Sequence, residues 1–381
     1  MSKPAQAVAA DHIFDGNALR HEAAVLIEGE TITDIVPLAK VPRDLTVHAL
    51  PKGAWLAPGF IDVQVNGGGD VLFNDSPTPE TITAIARAHR KFGTTGLLPT
   101  LITDAPDKMP AAIDAVQSAM ESEPGVLGIH LEGPFISPQR PGVHDPQHIR
   151  GMMPSDLALL LRPRKGVTLI TLAPEQMAEG GIAMLADAGL RISLGHSMAT
   201  YDQTRAAIGE GLTGFTHLFN AMPQITSRQP GPIAAALESP SVFYGLIVDG
   251  AHVDPASLRI ALRGAGKPML VTDAMPPVGG SRTSFKLYGD EISVRDGQLR
   301  REDGTLAGAY LTMAQAVSHC VTMLGLRLEQ ALPLASRNPA EFLGLGDRLG
   351  QLAPGFRADM VAFHPDNIDV ISTWVAGTAN P

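Results

Sequence analysis

Eight short apolar runs, separated by amphipathic stretches, constrain the fold of this chain more than any other feature. The stretches, such as TPETITAIARAHRKFG, carry apolar residues at helical spacing, with Pro or Asp at their starts and Gly at their ends. Strands that alternate with helices in this way predict a parallel sheet. The apolar runs span residues 59–65, 95–103, 126–132, 167–175, 191–197, 214–220, 242–250 and 268–275.

The number of runs favours a closed barrel over an open sheet. Eight strand–helix units over about 290 residues match a (β/α)₈ barrel, which typically takes about 250 residues. A doubly wound open sheet is the alternative, and it needs a Gly-rich turn after the first strand. The stretch NGGGD at 66–70 lacks the GxGxxG spacing, and no clear helix begins on it. We therefore predict an α/β fold built on a (β/α)₈ TIM-type barrel.

The two ends of the chain have a different pattern. Residues 1–54 and 347–381 contain short strands with turns and no long helix. Because chain termini often lie close together, we expect the two ends to form one small β-sandwich domain. The barrel, a metal-dependent hydrolase domain by the argument below, then takes residues 55–346. The stretch 284–304 is predicted to form hairpins inserted after the eighth strand.

Charge and cysteine content exclude several classes of partner. The 381 residues carry a formal net charge of −10, with a pI of about 5.6, which argues against nucleic acid or an anionic membrane surface. The single cysteine, Cys320, excludes an internal disulfide and suits a reducing compartment. The N-terminus lacks the apolar core of a signal peptide, and no apolar run approaches the roughly 20 residues of a membrane span. We expect a soluble, cytoplasmic protein.

Polar residues gather at the ends of the predicted strands, where barrel enzymes build their sites. Glu132 ends the third run in GIHLEGPF, and His196, His217 and Asp273 lie at the ends of the fifth, sixth and eighth runs. Each residue alone has a structural explanation, but a buried carboxylate is costly without a partner. Two imidazoles and one carboxylate form the ligand set of catalytic zinc, and a nearby aspartate could take a proton from the metal-bound water. This pattern predicts a metallohydrolase.

Longer motifs resemble those of a known family. The stretches APGFIDVQVNG, HLEGPF, LGHS, THLFNAM, DGAHVD, VTDAM and LGQLAPGFRADMVAF are similar to those of the N-acetylglucosamine-6-phosphate deacetylases of the amidohydrolase superfamily, from about Phe14 to Val375. The resemblance implies a barrel with a terminal β-sandwich and a homodimer. It also implies hydrolysis of the acetamide of N-acetylglucosamine 6-phosphate, which yields glucosamine 6-phosphate and acetate.

The resemblance further implies roles for individual residues. Glu132, His196 and His217 match the metal ligands. Asp273 matches the general base toward the metal-bound water and the later acid toward the leaving amine. His144 matches the residue that contacts the acetyl carbonyl and stabilises the oxyanion. A guanidinium and an imidazole suit a phosphate. The residues expected in the substrate pocket are His144, Asn220, Ala221, His252 and Arg228, the last reaching in from the neighbouring subunit.

The first and fourth strands set the expected number of metal ions. Many superfamily members carry His-x-His at the end of the first strand, where this chain has Gln64 and Asn66, and neutral amides are poor ligands. The fourth run ends in LAPE and lacks the lysine that other members carbamylate. We predict one divalent metal per subunit, Zn²⁺ or Fe²⁺. Gln64 and Asn66 are expected to hydrogen-bond a ligand or the metal-bound water, or to serve as turn residues, and His130 to lie behind the metal ligands or be structural.

Alternative functions remain open at this stage. The substrate could be another N-acetylhexosamine 6-phosphate, such as that of N-acetylgalactosamine, since the sequence does not rank the two. A cyclic-amide hydrolase of the dihydroorotase or hydantoinase type is disfavoured by the missing His-x-His and lysine. A sugar-phosphate sensor without catalysis would be expected to have lost a ligand or Asp273. A purely structural scaffold leaves the strand-end charges unexplained.

Overall fold

The N-terminal segment forms short strands, as its sequence predicts. The structure, a computed structural model, describes residues 5–380. Its first elements are β1 (Gln6–Phe14), β2 (Leu19–Glu28), β3 (Thr31–Pro37), a single 3₁₀ turn (Leu38–Lys40), β4 (Thr46–Ala49) and β5 (Trp55–Pro58).

The central segment alternates strands with helices. Among residues 5–380, no helix combines the length and the apolar character that crossing a membrane requires. A further 3₁₀ turn (Pro174–Gln176) follows the fourth barrel strand. The elements in chain order are β6 (Phe60–Val65), β7 (Gly67–Gly68), β8 (Val71–Leu72), α1 (Pro79–Arg90), β9 (Thr94–Ile102), α2 (Lys108–Ala119), β10 (Gly128–Glu132), α3 (Pro154–Leu160), β11 (Val167–Leu172), α4 (Gly181–Asp187), β12 (Arg191–Leu194), α5 (Tyr201–Gly209), β13 (Gly214–Phe215), α6 (Gly231–Glu238), β14 (Phe243–Leu246), α7 (Pro255–Ala261) and β15 (Lys267–Leu270).

Helix α1 shows how the local sequence specifies these elements. The Thr78 side chain accepts a hydrogen bond from the backbone N–H of Thr81, and Pro79 occupies the first turn, where a missing N–H costs nothing. Ile82 and Ile85 recur on one side of the helix and are fully buried. The helix therefore forms because its start is capped and its apolar face packs on the sheet.

The eight strands of the central segment form the predicted barrel. Their order is β15-β14-β13-β12-β11-β10-β9-β6, and every neighbouring pair is parallel. A parallel bridge between Val65 and Ala274 closes the ring. The predicted (β/α)₈ fold is confirmed. Several strands are shorter than the apolar runs; the sixth run contributes only Gly214–Phe215, because the chain turns out of the sheet before His217.

The segment after β15 adds a small sheet and three helices. The sheet is antiparallel, and the helices pack against β15, with α9 and α10 also touching β6, so that they cover the seam where the barrel closes. The added elements are β16 (Ser284–Leu287), β17 (Asp290–Arg295), β18 (Gln298–Arg300), α8 (Met313–Thr322), α9 (Leu328–Ala335) and α10 (Arg337–Leu343).

Strands from both chain ends form a second sheet. The C-terminal strands are β19 (Met360–His364), β20 (Asp369–Val375) and β21 (Thr378–Asn380), and the order is β21-β20-β19-β5-β1-β2-β3, with β4 beside β1. Buried residues such as Val8, Val25 and Met360 form its core. The two termini thus build one β-rich unit, as predicted. Strand β5 belongs to this sheet, which therefore extends past residue 54.

Candidate active site

Three side chains from separate barrel strands converge at the C-terminal end of the barrel. Glu132 is the last residue of β10, and His196 and His217 follow β12 and β13. Glu132 Oε1 lies 3.1 Å from His217 Nε2 and 3.3 Å from His196 Nε2. The two Nε2 atoms are 3.1 Å apart. All three residues are buried, with at most 5% of their surface exposed.

The donor chemistry of this cluster fits a divalent cation. His196 Nδ1 lies 2.8 Å from the carbonyl oxygen of Arg140, so Nδ1 carries the proton and Nε2 presents a lone pair. The three ligand atoms all lie within 4.8 Å of one another. Burial opposes ionisation of Glu132, yet the adjacent imidazoles of His196 and His217 hold the pKa of its carboxyl well below the usual range. An ionised carboxylate and two imidazole nitrogens are the ligands that zinc and iron accept.

The backbone at these strand ends is strained. His196, His217 and Asp273 have φ angles of 48°, 33° and 50°, a left-handed conformation that L-residues with side chains adopt at a cost. Strain of this kind persists only where the surrounding structure holds it, and it is typical of functional sites. The turn at each strand end directs the side chain over the barrel mouth instead of along the sheet.

Asp273 is held by the two amides that replace the His-x-His pair. Asn66 Nδ2 donates to Asp273 Oδ1 at 2.7 Å, and Gln64 Nε2 lies 3.2 Å from both Asp273 Oδ1 and Glu132 Oε2. Burial, together with the charge of Glu132, raises the pKa of Asp273 to about 6. Gln64 and Asn66 therefore contact the carboxylates of the site, whereas the sequence suggested contact with a ligand or a role in the turn alone.

His144 lies beside the cluster in a defined orientation. Its Nδ1 accepts a hydrogen bond from the backbone N–H of Thr103 at 3.3 Å and lies 2.8 Å from the Thr103 hydroxyl. An Nδ1 that accepts from a backbone N–H leaves the proton on Nε2, which lies 4.0 Å from Glu132 Oε1. Burial and the neighbouring imidazole of His196 keep the pKa of His144 well below its usual value, so the ring is a neutral donor.

These side chains line a cavity of about 250 Å³. Asn220 lies at its wall, and its Nδ2 donates to the carbonyl oxygen of His217 at 3.2 Å, which ties the loop to His217. His252 Nδ1 lies 2.6 Å from Asp249 Oδ2. The predicted site residues that border the cavity are Asn66, Glu132, His144, His196, His217, Asn220, Ala221, His252 and Asp273.

Gln64 contacts the carboxylates of Glu132 and Asp273 but does not line this cavity, and two further predicted site residues lie outside it. Arg228 is exposed and borders a separate cleft with Tyr201 and Gln224. His130 is buried inside the barrel, where its ring nitrogens bond the hydroxyls of Thr100 and Thr171. Burial lowers the pKa of His130 to about 4. Within a single chain, neither residue reaches the space between Glu132 and Asp273.

Three residues that support the site were missed by sequence reasoning. Thr103 orients His144, and Asp249 orients His252. Glu175 accepts hydrogen bonds from Ser197 Oγ at 2.7 Å and from the backbone N–H of Met198 at 2.5 Å, which holds the loop after His196. All three lie at or beside the end of an apolar run, the position that revealed Glu132, but none belongs to a ligand pattern.

Comparison with known proteins shows which family and which relatives the chain is similar to. Residues 55–380 match the model of the amidohydrolase family. The N-acetylgalactosamine-6-phosphate deacetylase of Shewanella sp. (strain ANA-3) is 46% identical, over 89% of this chain and 86% of that protein. The N-acetylglucosamine-6-phosphate deacetylase of Haemophilus influenzae is 35% identical, over 93% of each. The crystal structure of N-acetylglucosamine-6-phosphate deacetylase from Pasteurella multocida superposes with a TM-score of 0.95 at 34% identity, over 99% of each chain.

Sequence identity at this level over nearly the whole length, together with the same barrel fold, establishes the family of this chain. The chain belongs to the amidohydrolase family, within the group that contains the N-acetylglucosamine- and N-acetylgalactosamine-6-phosphate deacetylases.

Proposed function

We propose that this protein hydrolyses the acetamide of N-acetylglucosamine 6-phosphate to glucosamine 6-phosphate and acetate. The observation that carries the proposal is the meeting of Glu132, His196 and His217 beside Asp273 in one cavity. The activities of the relatives support the choice of an acetamide on an amino-sugar phosphate.

One divalent metal ion per subunit is part of this proposal, with Glu132, His196 and His217 as its ligands. When bound there, Zn²⁺ or Fe²⁺ supplies Lewis acidity to a carbonyl and lowers the pKa of water. Three contacts support a single ion, because the amide N–H of Asn66 donates to Asp273 and that of Gln64 donates to both carboxylates. Amide N–H groups that face the site are donors and cannot act as ligands.

Asp273 and His144 carry the proton transfer and the charge stabilisation in this mechanism. The Asp273 carboxylate, with a pKa raised to about 6, is a suitable base for the attacking water and then a suitable acid for the leaving amine. The Nε2–H of His144 points into the cavity, where it can donate to the oxygen of the acetyl carbonyl as negative charge develops. The ring needs no change of tautomer for this role, because Thr103 holds it in place.

The sugar-phosphate end of the substrate is proposed to contact Asn220, Ala221 and His252, which also border the cavity. Arg228 is exposed and borders a separate cleft in its own chain, which supports a role at the site of a neighbouring subunit in a homodimer. A bidentate guanidinium would anchor the phosphate. The composition, with the one cysteine Cys320, supports a cytoplasmic location.

The second candidate substrate is N-acetylgalactosamine 6-phosphate. It is favoured by one observation, the 46% identity to the Shewanella enzyme that acts on this epimer. The two sugars differ only in the orientation of one hydroxyl group. Both would present the same acetamide to the same residues.

A substrate panel tests the proposal. The purified protein is assayed for acetate release from N-acetylglucosamine 6-phosphate, N-acetylgalactosamine 6-phosphate and unphosphorylated N-acetylglucosamine. Dihydroorotate is assayed separately for ring opening to carbamoyl aspartate, and bound metal is quantified on the same sample. We expect one of the two 6-phosphates to give the highest kcat/KM and one ion per chain. Turnover of dihydroorotate alone, or two tightly bound ions, would contradict the proposal.

A further inference from the structure

A buried carboxyl group joins the first and last strands of the barrel directly below Asp273. Asp62, in β6, is fully buried. Its Oδ2 accepts a hydrogen bond from the hydroxyl of Thr272 at 2.5 Å. Its Oδ1 accepts from the backbone N–H of Thr272 at 3.3 Å and from that of Gln64 at 3.2 Å. The Asp62 side chain thus bonds both Thr272, which precedes Asp273 in the chain, and Gln64, whose side chain bonds Asp273.

We propose that Asp62 is a positioning residue for the hydrolysis, which fixes the Asp273 carboxylate through Thr272 and Gln64. This inference rests on the proposed function, because it concerns the base of that reaction. Asp62 does not line the cavity, and neither do its hydrogen-bond partners, Thr272 and Gln64. It acts only through its two neighbours.

The closing seam of the barrel explains why a side chain is needed there. Backbone hydrogen bonds join the end of β6 to the segment that follows β15, from Asp273 N to Gln64 O and from Asn66 N to Ala274 O, each 3.0 Å. The N–H of Thr272, one residue earlier, bonds Asp62 Oδ1 in place of a backbone carbonyl. The carboxylate therefore substitutes for a rung of the ladder at the point where the chain bends into Asp273.

The backbone conformation of Asp273 explains why hydrogen bonds from its neighbours matter for the position of its carboxylate. With φ at 50°, Asp273 occupies a backbone state that relaxes unless its neighbours hold it. Thr272 is held by two bonds to Asp62, and the Gln64 carbonyl accepts the N–H of Asp273. A displacement of the Asp273 carboxylate by about 1 Å would break its 2.7 Å bond to Asn66. Misplacement on that scale is enough to slow an enzyme.

Stability alone does not account for a carboxyl group at this position. Burial raises the pKa of Asp62 to about 7, against the hydrogen bonds that favour its ionised form. An apolar pair of the same shape would avoid that cost. A group that is unfavourable to bury, yet bonded on three sides to the neighbours of the base, fits a role in geometry.

Variants of both partners separate positioning from folding. Asp62→Ala removes all three hydrogen bonds, and Thr272→Val removes the hydroxyl while keeping the shape. Asp62→Asn keeps the acceptor for the two backbone N–H groups, and Thr272→Ser keeps the hydroxyl. We expect kcat to fall roughly 10- to 100-fold in Asp62→Ala and about tenfold in Thr272→Val, with KM within about twofold, and to recover largely in the two conservative variants. Thr94→Val, a buried strand threonine whose hydroxyl has no partner, is the matched control.

Two further readouts decide the outcome. Metal content and KM should stay unchanged, and a crystal structure of Thr272→Val should show the Asp273 carboxylate displaced from Asn66. The inference is overturned if Thr272→Val and Asp62→Ala keep kcat within about twofold of the parent. It is equally overturned if the activity that Thr272→Val and Asp62→Ala lose follows a loss of bound metal. The same holds if it follows a fall in melting temperature that Asp62→Asn and Thr272→Ser also show. Failure of the proposed function looks different, because the parent protein itself would then release no acetate.

Discussion

At the scale of single residues, Asp273 is the group on which the proposed chemistry depends most. It borders the cavity, its backbone is left-handed, and its Oδ1 receives two amide donors. Those donors favour the ionised form while burial disfavours it, which leaves a carboxyl group able to take up and release a proton.

We predict that Asp273→Asn lowers kcat by about 10²- to 10⁴-fold while KM changes little, because the amide can neither accept nor return the proton. Steady-state kinetics on the preferred 6-phosphate measures both constants. Asp366→Asn, at an exposed position in the turn between β19 and β20, is the control and should match the parent. Near-normal turnover of Asp273→Asn would remove the assigned role.

Thr103 offers a second test at this scale, since it sets the tautomer of His144. We predict that Thr103→Val reduces kcat about tenfold, the equivalent of one lost hydrogen bond, because the ring keeps only the backbone donor. Thr103→Ser should retain most of the activity. His144→Ala should cost more, about 10²- to 10³-fold, as the loss of an oxyanion donor. A Thr103→Val protein slower than His144→Ala would contradict this order.

At the scale of elements, the strands position the site through contacts that single glycines permit. Gly128 begins β10 with φ at +152°, and a Cβ there would lie 1.9 Å from the carbonyl oxygen of Val167. The strand that ends in Glu132 can therefore pair with β11 only because this residue has no side chain.

We predict that Gly128→Ala lowers the free energy of unfolding by about 3 kcal/mol, because β10 must move away from β11. Gly297→Ala, also at a positive φ but with open space around it, should cost only about 1 kcal/mol, the backbone term alone. Urea denaturation of both variants measures the difference. Equal destabilisation of the two would show that the steric contact is unimportant.

The ionisation of Asp62 makes the stability of the contact between β6 and the segment after β15 depend on pH. Burial raises the pKa of Asp62 to about 7 from the ordinary 3.8 of an aspartic acid, so between these values the folded state binds more protons than the unfolded state. The contribution of Asp62 to stability therefore decreases as pH rises through this window, by up to about 1.4 kcal/mol per pH unit.

Asp62→Asn should remove that contribution, because the amide does not titrate. We predict that the stability of Asp62→Asn relative to the parent rises from pH 5 to pH 8. Denaturant unfolding at several pH values, with Asp366→Asn as the control, measures the relative change. An unchanged difference across that range would mean that Asp62 stays ionised in the folded protein.

At the scale of the whole molecule, the proposed metal couples the site to the stability of the barrel. Its three ligands come from β10 and from the ends of β12 and β13, so an ion bound there links separate strands. An ion that binds only the folded state stabilises it by about 2.7 kcal/mol at 100 times its dissociation constant.

We predict that a chelator abolishes activity and lowers the melting temperature by roughly 5 °C, and that added Zn²⁺ or Fe²⁺ restores both. Differential scanning fluorimetry with parallel metal analysis measures this. Glu132→Gln should bind less metal and lose its response to the chelator, whereas Asp366→Asn should respond as the parent does. A Glu132→Gln protein that retains one ion per chain would exclude Glu132 as a ligand.

The sequence by itself determined the class of fold and the residue types of the site. Periodicity and spacing depend on local chemistry, so the eight strands, the terminal sheet and the strand-end cluster of Glu132, His196, His217 and Asp273 could be predicted without coordinates. The resemblance of the motifs to those of the deacetylases could also be recognised from the sequence.

Only the tertiary structure decided which partners each of these groups has. Gln64 and Asn66 bond Asp273, Thr103 orients His144, and Asp62 joins the seam, although these partners lie from 41 to 210 residues away in the chain. The same is true of Arg228, which the motif places in the pocket and the fold places outside it in its own chain. Hydrogen bonds between distant residues depend on how the strands are aligned when the barrel closes, and no local pattern encodes that alignment.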